Sequence, residues 1–164
     1  MICPQTLMNR LRRDETGAAL VEFAILLPIL LLLFAVIIEG GRLMWSYQTV
    51  VAGVRDAARY VARAAPQNIC SDGGSLAGYA DTVGDIVRES ISGNALFPAG
   101  VTVLSVTPTL DCITGTYRIS PVGVVEVSAR LQITFPFASI FGFNGGTLGT
   151  VTTTVRDQNR VFGT

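Results

Sequence analysis

Between Phe23 and Ile38 the chain reads FAILLPILLLLFAVII, sixteen residues without a charge or a hydrogen-bonding side chain. Ala18 to Val21 extend this to 21 residues, interrupted only by Glu22. At about 1.5 Å of rise per residue, a helix of that length crosses a hydrocarbon core of about 30 Å. The run is too long for the core helix of a small soluble domain. It also lacks the small-x-small site that ends a secretory signal peptide, and no cysteine follows it closely enough for a lipoprotein. Residues 18–38 therefore read as a transmembrane helix. Pro28 inside it removes one backbone hydrogen bond and predicts a bend near residues 24–28.

Orientation follows from the flanks. Arg10, Arg12 and Arg13 precede the run and favour a cytoplasmic N-terminus, although Asp14 and Glu15 follow at once and Arg42 and Arg55 lie beyond the run. The cysteines point the same way. Of the three, Cys3 precedes the apolar run, whereas Cys70 and Cys112 follow it. If the later part is exported, Cys70 and Cys112 form a natural pair and Cys3 stays on the reducing side; otherwise all three are unpaired thiols. A bridge closing a loop of about 40 residues would contribute about 3–4 kcal/mol in the chain-entropy model.

Past Glu39-Gly40-Gly41, Leu43, Tyr47, Val50, Val54, Ala58 and Val61 recur every three or four residues and mark one face of a continuing amphipathic helix. Residues 39–65 belong to it, because Pro66 disfavours helical geometry in the residue before it. Unbroken from Ala18 to Ala65, such a helix would run about 70 Å. Arg55, Arg59 and Arg63 form a second stripe at spacings of four. It is either a solvated face or a row that pairs with acidic residues, in the same chain or in a neighbour. Asp81, Asp85 and Glu89, on a second helix expected over Leu76 to Ile91, supply one such row.

The remainder, 66–164, reads as an exported α+β domain. Strands are expected over Val101–Val106, Val122–Phe137 and Leu148–Arg156, separated by turn residues at Pro108, Thr114-Gly115, Ser120-Pro121 and Asn144-Gly145-Gly146. The clearest is the middle one, where Val125, Val127, Ala129, Leu131, Ile133 and Phe135 alternate with Glu126, Ser128, Arg130, Gln132 and Thr134. Three to four strands with local connections make a small antiparallel sheet packed on the long helix. The apolar loop Phe137 to Phe143 either folds under this sheet or forms an exposed contact patch.

Composition narrows the chemistry. The 12 basic residues are all arginine, His is absent, and 12 acids bring the net charge to zero. Without Lys or His there is no P-loop lysine, Schiff base, or His-assisted nucleophile, and most zinc sites are excluded. Nothing in the charge balance favours nucleic acid. Gly74-Ser75 does not complete a nucleophile elbow, since Ala77 stands where the last glycine is required. No catalytic residues, cofactor or metal are expected, and the chain does not read as an enzyme.

Taken together, an Arg-containing leader, a glycine, a carboxylate five residues later and a long apolar helix resemble a prepilin. The wider similarity is to the TadE-like pseudopilins of tight-adherence (type IVc, Flp) pilus systems. It is carried by GAALVEFAILLPILLLLFAVIIEGGR (17–42), RDAARYVAR (55–63), VVEVSARLQITFPF (124–137) and the closing TVRDQNR. The sheet-bearing domain, and Phe23 where major pilins of these systems often carry tyrosine, fit the minor class.

The resemblance implies that a prepilin peptidase removes residues 1–17 by cutting between Gly17 and Ala18 on the cytoplasmic side. Glu22 then becomes the fifth residue of the mature chain. Cleavage leaves an α-amino group on Ala18, charged at neutral pH. A carboxylate one turn along the helix is favoured by the dipole and can meet an amine, its own or a neighbour's; otherwise Glu22 is an interfacial carboxylate reaching headgroup water. The implied function is that of a minor pseudopilin in assembly of an adhesive pilus. Its implied partners are the inner membrane, the peptidase, other pilins or pseudopilins and the assembly platform. The competing expectation is a membrane-anchored extracytoplasmic binding module that is never cut at Gly17.

Overall fold

The computed structural model describes residues 16–89, 96–97, 100–137 and 149–163. The chain divides into two compact units, Met1–Gly40 and Gly41–Thr164. Helix α1, Thr16–Ala64, is assigned without a break through Gly40 and Gly41 and contains Pro28. In the first unit its side chains from Leu20 to Ile38 are exposed on every face apart from Ala35. A helix that is apolar all round and covered by none of the described residues is unfavourable in water. It is long and apolar enough to cross a membrane.

In the second unit α1 acquires a protein side. Val50, Val54, Ala57, Ala58, Val61 and Ala65 are fully buried. The expected face is corrected at its start: Leu43 and Tyr47 stay 37% and 45% exposed, and Ser46 is buried instead. Its hydroxyl donates to the Arg42 carbonyl at 2.8 Å, which satisfies it inside the contact. The stripe that meets the core is thus Ser46, Val50, Val54, Ala57, Ala58 and Val61.

After α1 come a 3-10 turn, Ala77–Tyr79, and helix α2, Ala80–Arg88. They occupy part of the span where one helix from Leu76 was expected. The acidic row shortens with it: Asp81 and Asp85 sit on α2, but Glu89 has left the helix in an extended conformation. Gly53 positions α2. A Cβ there would lie 3.2 Å from the Val87 Cα, so glycine sets how close the two helices come.

Strands β1 (Val101–Ile113), β2 (Val122–Thr134) and β3 (Thr150–Arg160) form an antiparallel sheet in the order β1-β2-β3. The α+β class expected from the sequence is the one observed. In β2, Val125, Val127, Ala129 and Leu131 face the core and join the buried residues of α1 in one apolar cluster, with Val83 and Val87 of α2 and Val155 of β3; Ile133 is buried as well.

β1 runs to Ile113, well past the expected end at Val106. The register slips between Val103 and Ser105, leaving Leu104 without a partner on β2. This bulge flips the alternation. Val101 and Val103 pack on the core before it, Val106 and Leu110 after it, so the apolar set stays on one face. Pro108 is accommodated because β1 is an edge strand and a missing N–H there breaks no ladder. β3 likewise extends to Arg160 rather than Arg156. Most of the apolar loop 137–143 lies outside the described residues; Phe137 is half-buried.

Candidate functional site

The residues singled out by the sequence fall on three stretches. Gly17, Ala18 and Glu22 occupy the first turns of α1 and are exposed. Ala18 and Glu22 stand four residues apart on one helix face. Glu22 has no hydrogen bond or ion pair among the described residues, and nothing lies within 4 Å of where a Gly17 Cβ would be. The leader, with Cys3, lies outside the described residues.

Arg55, Arg59 and Arg63 point away from the buried stripe and are exposed. None is paired with an acid among the described residues, Asp81, Asp85 and Glu89 included. What the structure adds is the company they keep. Arg59 and Arg63, with Asp56, Tyr60 and Ala64, line an open depression of about 470 Å³. Two guanidiniums flanking a phenol and a carboxylate offer planar donors to a partner carboxylate. Asp56 and Tyr60 escaped the sequence reading, although their spacing of four beside the arginine stripe was the available signal.

Cys70 and Cys112 are joined by a disulfide, with Cα atoms 5.7 Å apart and a sequence separation of 42. It ties the segment after α1 to the end of β1, where Cys112 pairs with Gly123 of β2. On β2 a polar cluster also appears that the sequence did not single out. Glu126 accepts from the Gln158 amide at 2.6 Å and lies 3.7 Å from the Arg156 guanidinium. These groups satisfy one another across β2 and β3, which fits a role in sheet pairing.

The site is therefore a helix rather than a pocket. In the first unit it presents a glycine, a carboxylate without a partner among the described residues, and hydrocarbon from Phe23 to Ile38; in the second unit it presents arginines. Residues 17–59 match the family model described as TadE-like protein. The N-terminal helix is similar to the TadE-like family. The match begins at Gly17 and ends at Arg59, 43 of the 164 residues. The TadE-like segment thus covers most of α1 and none of the sheet. No curated protein and no solved structure matches the chain.

Proposed function

We propose that this chain is a minor pseudopilin that takes part in assembling a Tad (type IVc, Flp) adhesive pilus. The observation that carries the reading is the coincidence of the TadE-like match with an uncovered apolar helix that opens on Gly17 and Glu22. A membrane spanned by residues 18–38 holds the chain before assembly. Its N-terminus is cytoplasmic, and residues 66–164 lie on the extracytoplasmic side of the inner membrane, where the Cys70–Cys112 bridge is compatible with an oxidising compartment.

Cleavage by a prepilin peptidase after Gly17 creates the Ala18 amine. Glu22, exposed and without a partner among the described residues, meets that amine or a neighbour's when helices pack. In hydrocarbon a charge is costly, about 2.5–3.5 kcal/mol near the bilayer centre on insertion scales, so an amine partner favours the packed state. Arg55, Arg59 and Arg63 form the contact face of the same helix beyond the membrane. The work of the molecule is structural.

The test is the mature N-terminus. Mass spectrometry of the chain from cells carrying the pilus system is expected to find Ala18 first. Replacing Gly17 by Leu is expected to leave the full-length chain. A wild-type chain that keeps its leader in such cells would sink the pseudopilin reading and leave an anchored binding module.

A further inference from the structure

The second unit carries an exposed apolar feature that its own core does not explain. Ser46, Val50 and Val54 turn one side of α1 into the domain. On another face, Gly41, Met44, Trp45, Gln48 and Thr49 line a shallow open surface of about 580 Å³. Met44 is 59% exposed and Trp45 69% exposed. An indole left that open on a water-facing helix is unfavourable.

We infer that this Met44–Trp45 face is a lipid-binding surface that seats in the headgroup layer at the end of the membrane span. The inference rests on the reading of residues 18–38 as that span. Three observations carry it. First, the surface follows the apolar run closely: Trp45 stands seven positions after Ile38 in the sequence of α1. Helical side chains lean toward the N-terminus, so the indole covers the turn before its own Cα, on the bilayer side. Gly41 in the lining of the same surface agrees with that direction.

Second, the one hydroxyl that lines this surface, that of Thr49, is turned onto the helix backbone. Thr49 Oγ1 donates to the Trp45 carbonyl at 3.0 Å. Back-bonding of this kind removes the polar groups that would need water. What remains is a thioether, an indole with one N–H donor and the Gln48 amide, the mixed chemistry of a bilayer interface. Third, polarity rises along the helix. Hydrocarbon ends at Ile38, Glu39 and Arg42 stand half-buried at the start of the mixed stretch 41–49, and Arg55, Asp56, Arg59 and Arg63 follow, all four exposed. The charged face belongs to water and the mixed one to the layer between.

Trp45 is the chain's single tryptophan, so its emission reports this surface alone. The full chain is reconstituted into phosphatidylethanolamine–phosphatidylglycerol vesicles whose acyl chains carry bromine either near the headgroup or near the chain terminus. Flotation after alkaline extraction records whether the chain is embedded. The expected result is a chain that floats, with shallow bromines reducing Trp45 emission roughly twofold more than deep ones. A Trp45→Phe, Tyr60→Trp chain moves the reporter to the charged end of the helix and is expected to show no quenching. If the chain floats but neither bromolipid quenches Trp45, the lipid surface is refuted while the span stands. Loss of access to aqueous iodide in that case points to a protein partner on this face. Stronger quenching by deep bromines, or equal quenching of the Tyr60→Trp reporter, also overturns it. A chain that does not float overturns the span and the inference together.

Discussion

The backbone N–H of Phe162 donates to the carbonyl of Ala62 at 2.9 Å, so the C-terminal tail closes the end of the long helix. The last carbonyls of a helix have no partner within it. Here they are met from three directions. Ala65 N–H donates to Val61, Phe162 to Ala62, and the Tyr79 hydroxyl to Ala64 at 3.0 Å. The tail comes so close that a Cβ on Gly163 would stand 1.7 Å from the Ala65 carbonyl oxygen. Gly163→Ala therefore has to displace the tail and release the Phe162 bond, a loss of about 1 kcal/mol. Tyr79→Phe is expected to lose a similar amount. A thermal melt of the detergent-solubilised chain, followed by the sheet signal in circular dichroism, should fall by a few degrees for each. Gly78→Ala, where the new methyl meets nothing within 4 Å, is the control.

The centre of the domain makes a second prediction through one leucine against another. Leu131 is 1% exposed at the middle of the apolar cluster, whereas Leu104 is 45% exposed at the bulge. Leu131→Ala is expected to cost about 2–5 kcal/mol, the range for truncating a buried leucine. Leu104→Ala should stay within about 0.5 kcal/mol. Denaturant melts of the two variants compare them directly. Equal losses would mean that the sheet does not bury the face assigned to it.

These two leucines also mark how far the sequence could be read. Leu131 sits in the one strand whose alternation is unbroken, and there odd positions are apolar because one face meets the helix and the other meets water. Leu104 is where alternation fails. A bulge shifts the parity of β1 by one residue, so Val106 and Leu110 look out of phase with Val101 and Val103 although all four share a face. Pro108 then reads as a turn, because whether a strand lies at an edge is set by the sheet and not by its own residues. The apolar span was legible from composition. The start of the buried helix face was not, since Tyr47 and Leu43 have the right spacing and only the placement of the domain decides that Ser46 is covered instead. Trp45 has no periodic signature at all. Its meaning comes from its exposure.

Helix packing gives a third expectation. Gly53 brings the backbone of Val87 to within 3.2 Å of a virtual Cβ. Alanine would regain about 1 kcal/mol of helix propensity at this position and spend it on moving α2 by a few tenths of an ångström. Gly53→Val adds two further carbons and lacks room for them, and overpacking of this kind typically costs about 1–3 kcal/mol. The expected order of melting temperatures is wild type and Gly53→Ala close together, with Gly53→Val clearly lower. A Gly53→Val chain as stable as wild type would show that α2 is not held against α1 here.

At the N-terminus the expectation separates processing from assembly. Glu22→Gln keeps Gly17 and the shape of the side chain but removes the charge. Cleavage after Gly17 should continue, because the peptidase reads the glycine, while pili on the cell surface fall sharply because no carboxylate meets the Ala18 amine. Glu22→Asp keeps the charge on a shorter arm and should restore part of the assembly. Surface pili are counted by microscopy and cleavage by mass spectrometry. Normal piliation with Glu22→Gln would leave the carboxylate as an ordinary interfacial group.

Thiol chemistry joins the leader to the fold in one measurement. The chain has three cysteines, of which Cys70 and Cys112 share a disulfide. Cleavage after Gly17, as proposed, removes Cys3 with the leader. The processed protein should therefore present no free thiol before reduction and two after it. A chain blocked at Gly17→Leu should present one before reduction and three after it. Maleimide labelling of denatured samples, read as mass added, counts these directly. The Cys70→Ser, Cys112→Ser pair is expected to lower stability by about 3–4 kcal/mol in the chain-entropy model, because the bridge closes a separation of 42 residues. One label on the processed chain would mean that cleavage falls before Cys3, and two would mean that the bridge does not form in the cell. Either count identifies which of the two proposals, processing or export to an oxidising compartment, has failed.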